Sequence, residues 1–489
     1  MIKTDYGAIN CARRTAAEAK INAECPLAVG DDVKKSVSVS ATAFVVSVED
    51  KGATTLAKAK VAFDFVYLAE DGFRKAEAFA EAETELPTGG AVVRVTAEET
   101  RIVRNSENYV ARCTVRFTAE SSVGEEKKIV VGGDGLLVKE IDVKLDEPTG
   151  VNSDEFVVTD EFELGYAVKE VLGKTQAVRL KKVESGVSRI IFEGETEICV
   201  KTLPMNDSTD IMREKRSIPF RFELPCAGAL PDMKATGEMT VTKVAYKVFT
   251  DEAKGKSNVS AEITLKATGE AAGERTERVV VDAYSREDET AVSKTTLTTY
   301  RLTGRGYREE RIIGATDGEV PDGGRILVAL GENVTVYSVT ATEQGANLTG
   351  VIRADVVFRN ADNGTTCVQA EMPFSADIAD EGMICGVKVE LTELNARVRN
   401  GAIEFEANLA IEWTTYEKQD VICAEDVTAS GERTLSDSAI SVVIPKAGDD
   451  LWEVSKRLGI NEDEILKLNP DLEFPLGGDE RIIIYRQKT

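Results

Sequence analysis

The chain of 489 residues carries a formal net charge of −25, with 42% hydrophobic and 30% charged residues. This composition indicates a soluble, folded chain of roughly three or four domains at about 100–200 residues each. The acidic surface disfavours nucleic-acid and anionic-membrane partners, because it repels phosphate groups. No apolar run approaches the ~18 residues that a membrane helix needs, so we expect no membrane insertion.

The first residues, "MIKTDYGAINCARRTAAEAK", lack the apolar core of a secretory signal, so we expect the protein to stay in the cytosol. Its eight cysteines show no C-x-x-C pair and no zinc-ribbon spacing. They are Cys11, Cys25, Cys113, Cys199, Cys226, Cys367, Cys385 and Cys423. We expect reduced structural thiols, with Cys113, Cys199 and Cys385 buried and unpaired.

The chain contains no histidine, which removes the commonest general base and metal ligand. It also lacks a G-x-x-x-x-G-K-[ST] loop and a G-x-G-x-x-G turn, the usual phosphate-binding motifs. We therefore expect no metal and no cofactor, and we predict that the protein is not an enzyme. A carboxylate-dependent hydrolase stays open, but 85 acidic residues give no basis for choosing a catalytic pair.

Three segments share a pattern of strand, short polar turn near a glycine, longer alternating strand and polar loop. They are 42–72, 176–208 and 334–364. Each is followed by two period-two strands that flank a polar turn, as in a hairpin. This second set comprises 91–121, 235–270 and 385–417. The alternation predicts antiparallel strands with one solvated face.

The pattern recurs about every 130–160 residues, which is the size of a domain. We predict a mainly β protein with three repeated sandwich-like or open-barrel-like modules, followed by a small βααβ domain. The predicted modules are 1–137, 138–290 and 291–436, and the small domain is 441–487. The stretches 138–173 and 295–320 are expected to connect modules, partly extended and partly polar, while adding edge strands.

After the short apolar stretch "ISVVIP", the pattern becomes helical. Asp450 is predicted to cap a first helix, with Glu453 completing a capping box. Gly459 suits the position just past the end of that helix.

A second helix follows at once. Asn461 is predicted to cap it with Glu464 closing a second box, and Ile460 and Ile465 are placed as a hydrophobic staple. Pro470 stops the helix, and "RIIIY" supplies a second strand, which completes the order β-α-α-β. The predicted core of this domain comprises Leu451, Val454, Leu458, Ile465 and Leu468.

The segments "AGDDLW" (447–452), "SKRLGI" (455–460), "EILKLNP" (464–470) and a closing I-x-I strand resemble the LysM domain across essentially the whole module. Two features depart from the family. Asp450 stands where Thr is usual, and "FPLGGDERIIIY" stands where "I-x-P-G-Q-x-L-x-I-P" is typical. LysM domains usually bind N-acetylglucosamine-containing glycans in a groove between the loop before helix one and the loop after helix two.

The resemblance implies a groove with two sides. The first side would comprise Gly448, Asp449, Asp450 and Leu451. The second would comprise Asn469, Pro470, Asp471 and Leu472. Gly448, Leu451 and Pro470 are also needed to make the fold, and Asp450 suits a helix cap better than a ligand contact. Asp471 and Leu472 are expected to be at least partly exposed.

Three β-rich modules before one LysM domain resemble the SPOCS-domain family of spore coat assembly proteins (the SipL type). This resemblance rests on a V-x-G-x-x-x-x-V-x-Y-like strand pair and on acidic, Thr- and Val-rich text. In that family the protein acts in the mother-cell cytosol, and its LysM domain docks a coat morphogenetic ATPase instead of a glycan. The implied partner is thus a coat morphogenetic protein, and the implied location is the mother-cell cytoplasm or the spore coat.

Two functions from different classes follow. In the first, three β modules form an acidic platform and the LysM domain docks a partner protein, which makes the chain a non-enzymatic assembly factor. In the second, the same domain holds peptidoglycan through N-acetylglucosamine, which places the protein in the cell wall. The lack of an export signal favours the first.

Overall fold

The computed structural model of the protein describes residues 2–29, 33–105, 108–205, 210–434 and 440–485, and of residues 11–14 and 122–124 it describes the backbone alone. The predicted domain ends at 1, 436 and 487, and residues 206–208 of the second repeated segment, lie outside this part of the chain. Within it the protein is mainly β, as predicted, with two short helices near the C-terminus.

The first group of strands, unit 1 (3–134), forms two antiparallel sheets of order β1-β6-β5 and β2-β3-β4. Its strands are β1 (Lys3–Leu27), β2 (Lys35–Asp50), β3 (Thr55–Ala69), β4 (Gly72–Leu86), β5 (Val92–Arg104) and β6 (Tyr109–Asp134). Successive side chains of a strand point to opposite faces, so each sheet offers one apolar face to the other. Phe63 and Phe65 of β3 and Phe117 of β6 are fully buried in the resulting core.

Unit 2 (136–285) contains a sheet of order β11-β10-β9 and a second sheet in which β12, β7 and β8 all pair with β13. Its strands are β7 (Leu136–Pro148), β8 (Asn152–Leu164), β9 (Val168–Gly186), β10 (Arg189–Pro204), β11 (Met212–Pro225), β12 (Lys234–Asp251) and β13 (Lys256–Ser285). β7 and β8 line up along β13 as one interrupted strand. The break falls at Pro148, which has no N–H, and Gly150, whose φ is 87°.

Unit 3 (288–432) contains sheets of order β14-β19-β18 and β15-β16-β17. Its strands are β14 (Asp288–Glu319), β15 (Arg325–Thr342), β16 (Gly345–Arg359), β17 (Thr365–Ala379), β18 (Met383–Arg399) and β19 (Ala402–Glu432). Phe358 and Phe405 are fully buried between these two sheets.

The three units share one strand order: the opening strand pairs with the last, and the next three strands form a meander. They also share a β-bulge, a point where one strand has an extra residue against its neighbour. Val46 in β2, Lys181 in β9 and Tyr337 in β15 are the extra residues, each in the first strand of its meander. The three hairpins predicted after the repeated segments are confirmed as β5–β6, β12–β13 and β18–β19.

The two predicted connecting stretches are integral parts of sheets. Residues 138–173 run through β7, β8 and the start of β9, and 295–320 lies largely within β14, which pairs with β19. The prediction of added edge strands is confirmed. Their expected place between modules is corrected, because both stretches lie within units 2 and 3 as paired strands.

Apolar side chains join the units at two junctions. At the first, Val37, Leu172 and Leu330 come from the opening strands of the three meanders and pack in one cluster. Val37 and Leu172 are themselves extra residues at register shifts, which turn them out of the strand alternation. The second junction is built from the opening and last strands and comprises Ile9, Ile129, Val143, Leu145, Val279, Leu297, Val421 and Cys423.

The cysteine prediction holds in part. Cys113 and Cys199 are buried free thiols, and burial raises the pKa of Cys113 to about 11. Cys385 is only half-buried, which corrects the prediction. It lies where the register of β18 shifts, so the alternation that would bury it is interrupted. The side chain of Cys11 lies outside the described residues.

The C-terminal unit (440–485) follows the order strand, helix, helix, strand. Its elements are β20 (Ile440–Val443), α1 (Leu451–Leu458), α2 (Glu462–Leu468) and β21 (Ile482–Tyr485). β20 and β21 pair antiparallel. In the described ranges, no helix has the length and apolar character to cross a membrane.

Candidate binding site in the C-terminal unit

The start and end of α1 follow from three residues. The Asp450 carboxylate accepts the N–H of Glu453 at 2.7 Å, and the Glu453 carboxylate accepts the N–H of Asp450 at 3.1 Å. Gly459 ends the helix with φ of 66°, a left-handed conformation in which a Cβ is unfavourable. The predicted capping box and helix end are confirmed.

The second helix is capped differently from the prediction. Asn461 does cap α2, since its side chain accepts the N–H of Asp463 at 3.1 Å. The Glu464 carboxylate, however, lies 3.1 Å from the guanidinium of Arg286, between units 2 and 3. The predicted second box is therefore wrong, because Glu464 forms an ion pair with Arg286 instead of closing it. We call units 1–3 with their connecting residues the body.

The small core of the unit lies between the two helices and the β20–β21 sheet. Its buried members are Val454, Ile460, Ile465, Leu476, Ile482 and Ile484. Leu451 and Leu458 pack against this cluster but are half-buried. Leu468 is 42% exposed, so its predicted place in the core is wrong. Leu476 and the alternate isoleucines of β21 fill the space instead.

Asp449, on the first side of the predicted groove, uses its side chain in bonds within the C-terminal unit. It is 9% exposed, its carboxylate accepts the N–H of Lys446 at 2.8 Å, and the guanidinium of Arg457 lies 2.8 Å away. The backbone hydrogen bond and the arginine together hold the pKa of Asp449 below its usual range. The Gly448 N–H donates to the Leu476 carbonyl at 2.7 Å, so this loop is tied to the segment before β21.

Asn469, on the second side, clamps β21. Its side-chain N–H groups donate to the carbonyls of Ile465 and Ile483, each at 2.8 Å, and its side-chain oxygen accepts the N–H of Ile483 at 2.7 Å. The amide therefore satisfies three backbone groups and is buried. Pro470 and Asp471 are exposed and Leu472 is half-buried, as predicted for the last two.

The two loops are thus connected through shared neighbours. Leu451 and Leu472 pack against the same core, and the Leu476 N–H donates to the Asp449 carbonyl at 3.0 Å. Of the eight predicted groove residues, Asp449, Asp450 and Asn469 use their side chains inside the fold. Gly448, Pro470 and Asp471 remain on the surface.

A docking contact that was not predicted from the sequence joins the C-terminal unit to unit 2. The indole N–H of Trp452 donates to Asp282 at 2.8 Å, and the Lys456 ammonium donates to the other oxygen of that carboxylate at 2.6 Å. The Tyr284 hydroxyl donates to the Ile460 carbonyl at 2.7 Å, and its ring meets that of Trp452 edge-on with centroids 4.9 Å apart. Trp452 is 7% exposed as a result.

Further polar bonds surround the docking contact. Arg433, just after β19, donates to the carbonyls of Lys456 and Arg457 at 2.9 and 3.0 Å, which satisfies the C-terminal end of α1. Lys139 of β7 lies 2.9 Å from the Asp450 carboxylate. One feature of the sequence indicates this contact. Trp452 does not belong to the apolar stripe of α1 formed by Leu451, Val454 and Leu458, so its side chain cannot be buried in the core of its own unit.

Two titratable groups of the docking contact, Asp282 and Tyr284, have pKa values that are shifted by their surroundings. Burial alone would raise the pKa of Asp282, but the hydrogen bonds from Lys456 and Trp452 outweigh it and hold that pKa below its usual range. Burial raises the pKa of Tyr284 to about 12, which keeps its hydroxyl protonated and able to donate. At neutral pH the Asp282 carboxylate is therefore charged and the Tyr284 hydroxyl is protonated, which are the forms that the docking bonds require.

A charged cluster also lies between the units, around a cavity of about 120 Å³. Arg94 of unit 1 lies 2.5 Å from Glu238 of unit 2, and Arg305 lies 2.6 Å from Glu412 within unit 3. Arg305 also donates to the Leu180 carbonyl of unit 2, and Glu412 accepts the Leu180 N–H. The Arg94–Glu238 ion pair thus joins unit 1 to unit 2, and the hydrogen bonds of Arg305 and Glu412 to the Leu180 backbone join unit 3 to unit 2.

No group of three or more Cys, Asp or Glu side chains within the described ranges is placed to hold a metal ion. Comparison with known proteins does not add an identity. The chain matches no protein-family model, no curated protein and no solved structure.

Proposed function

We propose that this protein is a non-enzymatic assembly factor of the SPOCS-domain type, in which three β modules form a platform and the C-terminal LysM-like domain docks a partner protein. By the resemblance, that partner is a coat morphogenetic protein of a sporulating cell. The exposed rim of the groove, centred on Asp471 and Leu472, is the proposed contact surface.

Support for three repeated modules comes from strand order and from the bulges. A bulge recurs at one position of a sheet when the fold conserves it as a feature. The extra residues Val46, Lys181 and Tyr337 all lie in the first meander strand, each followed after one residue by valine, in "VVSV", "LKKV" and "VYSV". This agreement supports descent of the units from one module.

Support for a LysM-like domain comes from the βααβ order together with the helix caps at Asp450, Gly459 and Asn461. The two departures of the sequence have local explanations. Asp450 caps α1 as Thr would, and its second oxygen reaches Lys139 of unit 2. The segment "FPLGGDERIIIY", which departs from the family pattern before and along β21, contains Leu476, and this side chain fills the small core.

One observation favours a protein partner over a glycan: most backbone N–H groups of the groove and two of its polar side chains are already hydrogen-bonded within the unit. Sugar hydroxyls need free donors and acceptors. The N–H groups of Gly448, Asp449, Asp450 and Leu472 all donate within the unit. The side chains of Asp449 and Asn469 are bonded as well, which leaves an exposed rim suited to side-chain packing.

The test is capture of partners by the immobilised full chain from an extract of sporulating cells. Mass spectrometry should identify a coat morphogenetic ATPase, and Asp471→Lys should remove it from the captured set. Asp463→Lys is the matched control, because it makes the same charge change on the exposed first turn of α2, at the other end of that helix. Asp449 is unsuitable for this test because its replacement would disturb folding.

Calorimetry with N-acetylglucosamine tetramers provides the second arm. The assembly function predicts no binding of the tetramer and no competition with the captured protein. Binding at roughly micromolar Kd that Asp471→Lys abolishes and Asp463→Lys preserves would instead establish the glycan function and its location at the cell wall.

A further inference from the structure

The β20–β21 sheet has one face turned away from the rest of the unit, and that face is apolar. Its cross-strand pairs are Ile440 with Tyr485 and Val442 with Ile483. These four side chains are between 45% and 64% exposed, and the adjoining Ile444 is 69% exposed. The alternate residues Ile482 and Ile484 fill the core on the other face. We call this surface the outer face.

The same sheet has a free edge, and hydrogen bonding identifies it. The N–H and C=O of Ile483 both bond to the Asn469 side chain, so they point away from β20. In an antiparallel pair, the residue opposite such a position also directs its N–H and C=O away from its partner strand. Val442 therefore aims its backbone groups outward, along the edge of β20 that has no paired strand in the described part of the chain.

Size and charge indicate what would fit there. The outer face offers on the order of a few hundred Å², whereas a stable interface between two proteins needs about 800 Å² from each partner. A second copy would also bring another net charge of −25. Both considerations favour a short segment of a different protein.

A cation marks one end of the outer face. Arg481 is exposed and, two residues before Ile483, belongs to the same side of the β21 alternation. Lys446, two residues past Ile444, is exposed near that end. An acidic side chain on the incoming segment would complement these charges.

We propose that the edge of β20 accepts an added β-strand from a partner protein, an extended segment with alternate apolar side chains followed by an acidic residue. Backbone bonds to Val442 would align the segment, and its apolar side chains would cover Ile440, Val442 and Ile444. This surface is separate from the predicted groove, and the proposal stands whether the groove takes a protein or a glycan.

The test uses the full chain and a fluorescein-labelled peptide of four Thr-Val repeats ending in Glu-Asp, with binding followed by fluorescence anisotropy. A peptide of the same composition, with its valines and threonines in separate blocks, is the control ligand. The alternating peptide should bind at least tenfold more tightly than the block peptide. Hydrogen exchange at the Val442 amide should slow when the alternating peptide is bound.

Three substitutions separate the parts of the site. Val442→Pro removes the outward N–H without removing a ladder bond, and it should weaken binding at least tenfold. Arg481→Glu should weaken binding of the Glu-Asp peptide and strengthen binding of a Lys-Lys version. Ile422→Glu is the matched control, because Ile422 and Val442 are each 58% exposed and Ile422 lies on β19, and it should leave binding unchanged.

Equal binding of the two peptides, or binding unaffected by Val442→Pro while Trp452 fluorescence reports a folded unit, would overturn the proposal. Sedimentation of the wild type as a dimer that Val442→Glu dissociates would also overturn it, in favour of a second copy. Failure to capture a coat protein through the groove would leave these results unaffected, so the two proposals fail separately.

Discussion

In unit 3, Phe358 and Phe405 are fully buried between two sheets, and the core they share closes without help from the other units. In the C-terminal unit, Trp452 is buried against Tyr284 of unit 2, outside the core of its own unit. The first region is stabilised by its own apolar interior. The second has a small interior and gains a polar and aromatic contact with its neighbour, so its stability depends on the body.

This difference bears on how the domain could act. A domain joined only by a linker would present its binding rim in any direction. Here Asp282, Tyr284 and Arg433 hold α1 at its side and at its end, so the proposed contact rim has one orientation relative to units 1–3. A partner that recognised both the rim and the acidic body would gain affinity from this fixed geometry.

The largest expected effect concerns the unit 3 core. Phe405→Ala should lower the free energy of unfolding by ~3–5 kcal/mol, since it removes a fully buried ring. Urea denaturation followed by circular dichroism measures this. Ile422→Ala, at a site 58% exposed, is the control and should cost far less. Equal costs for the two variants would contradict a self-sufficient core.

The next effect concerns the small core. Ile465→Ala should cost ~2–5 kcal/mol and unfold the C-terminal unit while units 1–3 stay folded. The chain has two tryptophans, Trp413 and Trp452, so a Trp413→Phe background leaves Trp452 as the reporter of this unit.

Leu468→Ala is the control in the same helix and should have little effect, because Leu468 is 42% exposed. Loss of the β signal from the body together with the Trp452 signal would show that the two regions unfold as one.

A smaller effect is expected at the docking contact. Asp282→Asn should weaken it by about 1–3 kcal/mol, because the Lys456 ammonium loses its carboxylate partner. Trp452 emission should shift to longer wavelength in the Trp413→Phe background as its ring meets water. Asp142→Asn, an exposed site on neighbouring β7, should leave the emission unchanged. No shift with Asp282→Asn would mean that the other contacts, among them those of Tyr284 and Arg433, hold the unit without the Asp282 carboxylate.

The smallest effect is the pH dependence of docking. The pKa of Tyr284 is raised to about 12 from an ordinary value near 10. The contribution of Tyr284 to the stability of docking should be complete below pH ~10 and lost as pH rises toward 12. The reason is that Tyr284 loses its proton at a lower pH in the unfolded state than in the folded state. Asp282 has a lowered pKa, so its contribution should be complete above pH ~4 and lost on further acidification. Trp452 fluorescence across pH 3–12 measures both limits, and Tyr284→Phe should remove the alkaline one.

Local signals in the sequence determined the parts of the fold that depend on neighbours in the chain. Alternation of apolar and polar residues determined the hairpins β5–β6, β12–β13 and β18–β19, because side chains of a strand point to opposite faces. Asp450, Glu453 and Gly459 determined the ends of α1, because a cap satisfies backbone groups only a few residues away.

Only the tertiary structure determined which residues each side chain contacts and which side chains are buried. The sequence alone placed Leu468 in the core and Glu464 in a capping box, yet Leu476 and β21 fill that core and Arg286 attracts that carboxylate. It gave no partner for Trp452, because Asp282 lies 170 residues earlier in the chain. From the sequence, Asp449 and Asn469 could either bind a ligand or support the fold. The structure shows that their side chains bond to the backbone of Lys446 and Ile483, so they support the fold. Burial and pairing between distant residues depend on packing, and a periodic pattern specifies only which side of an element is apolar.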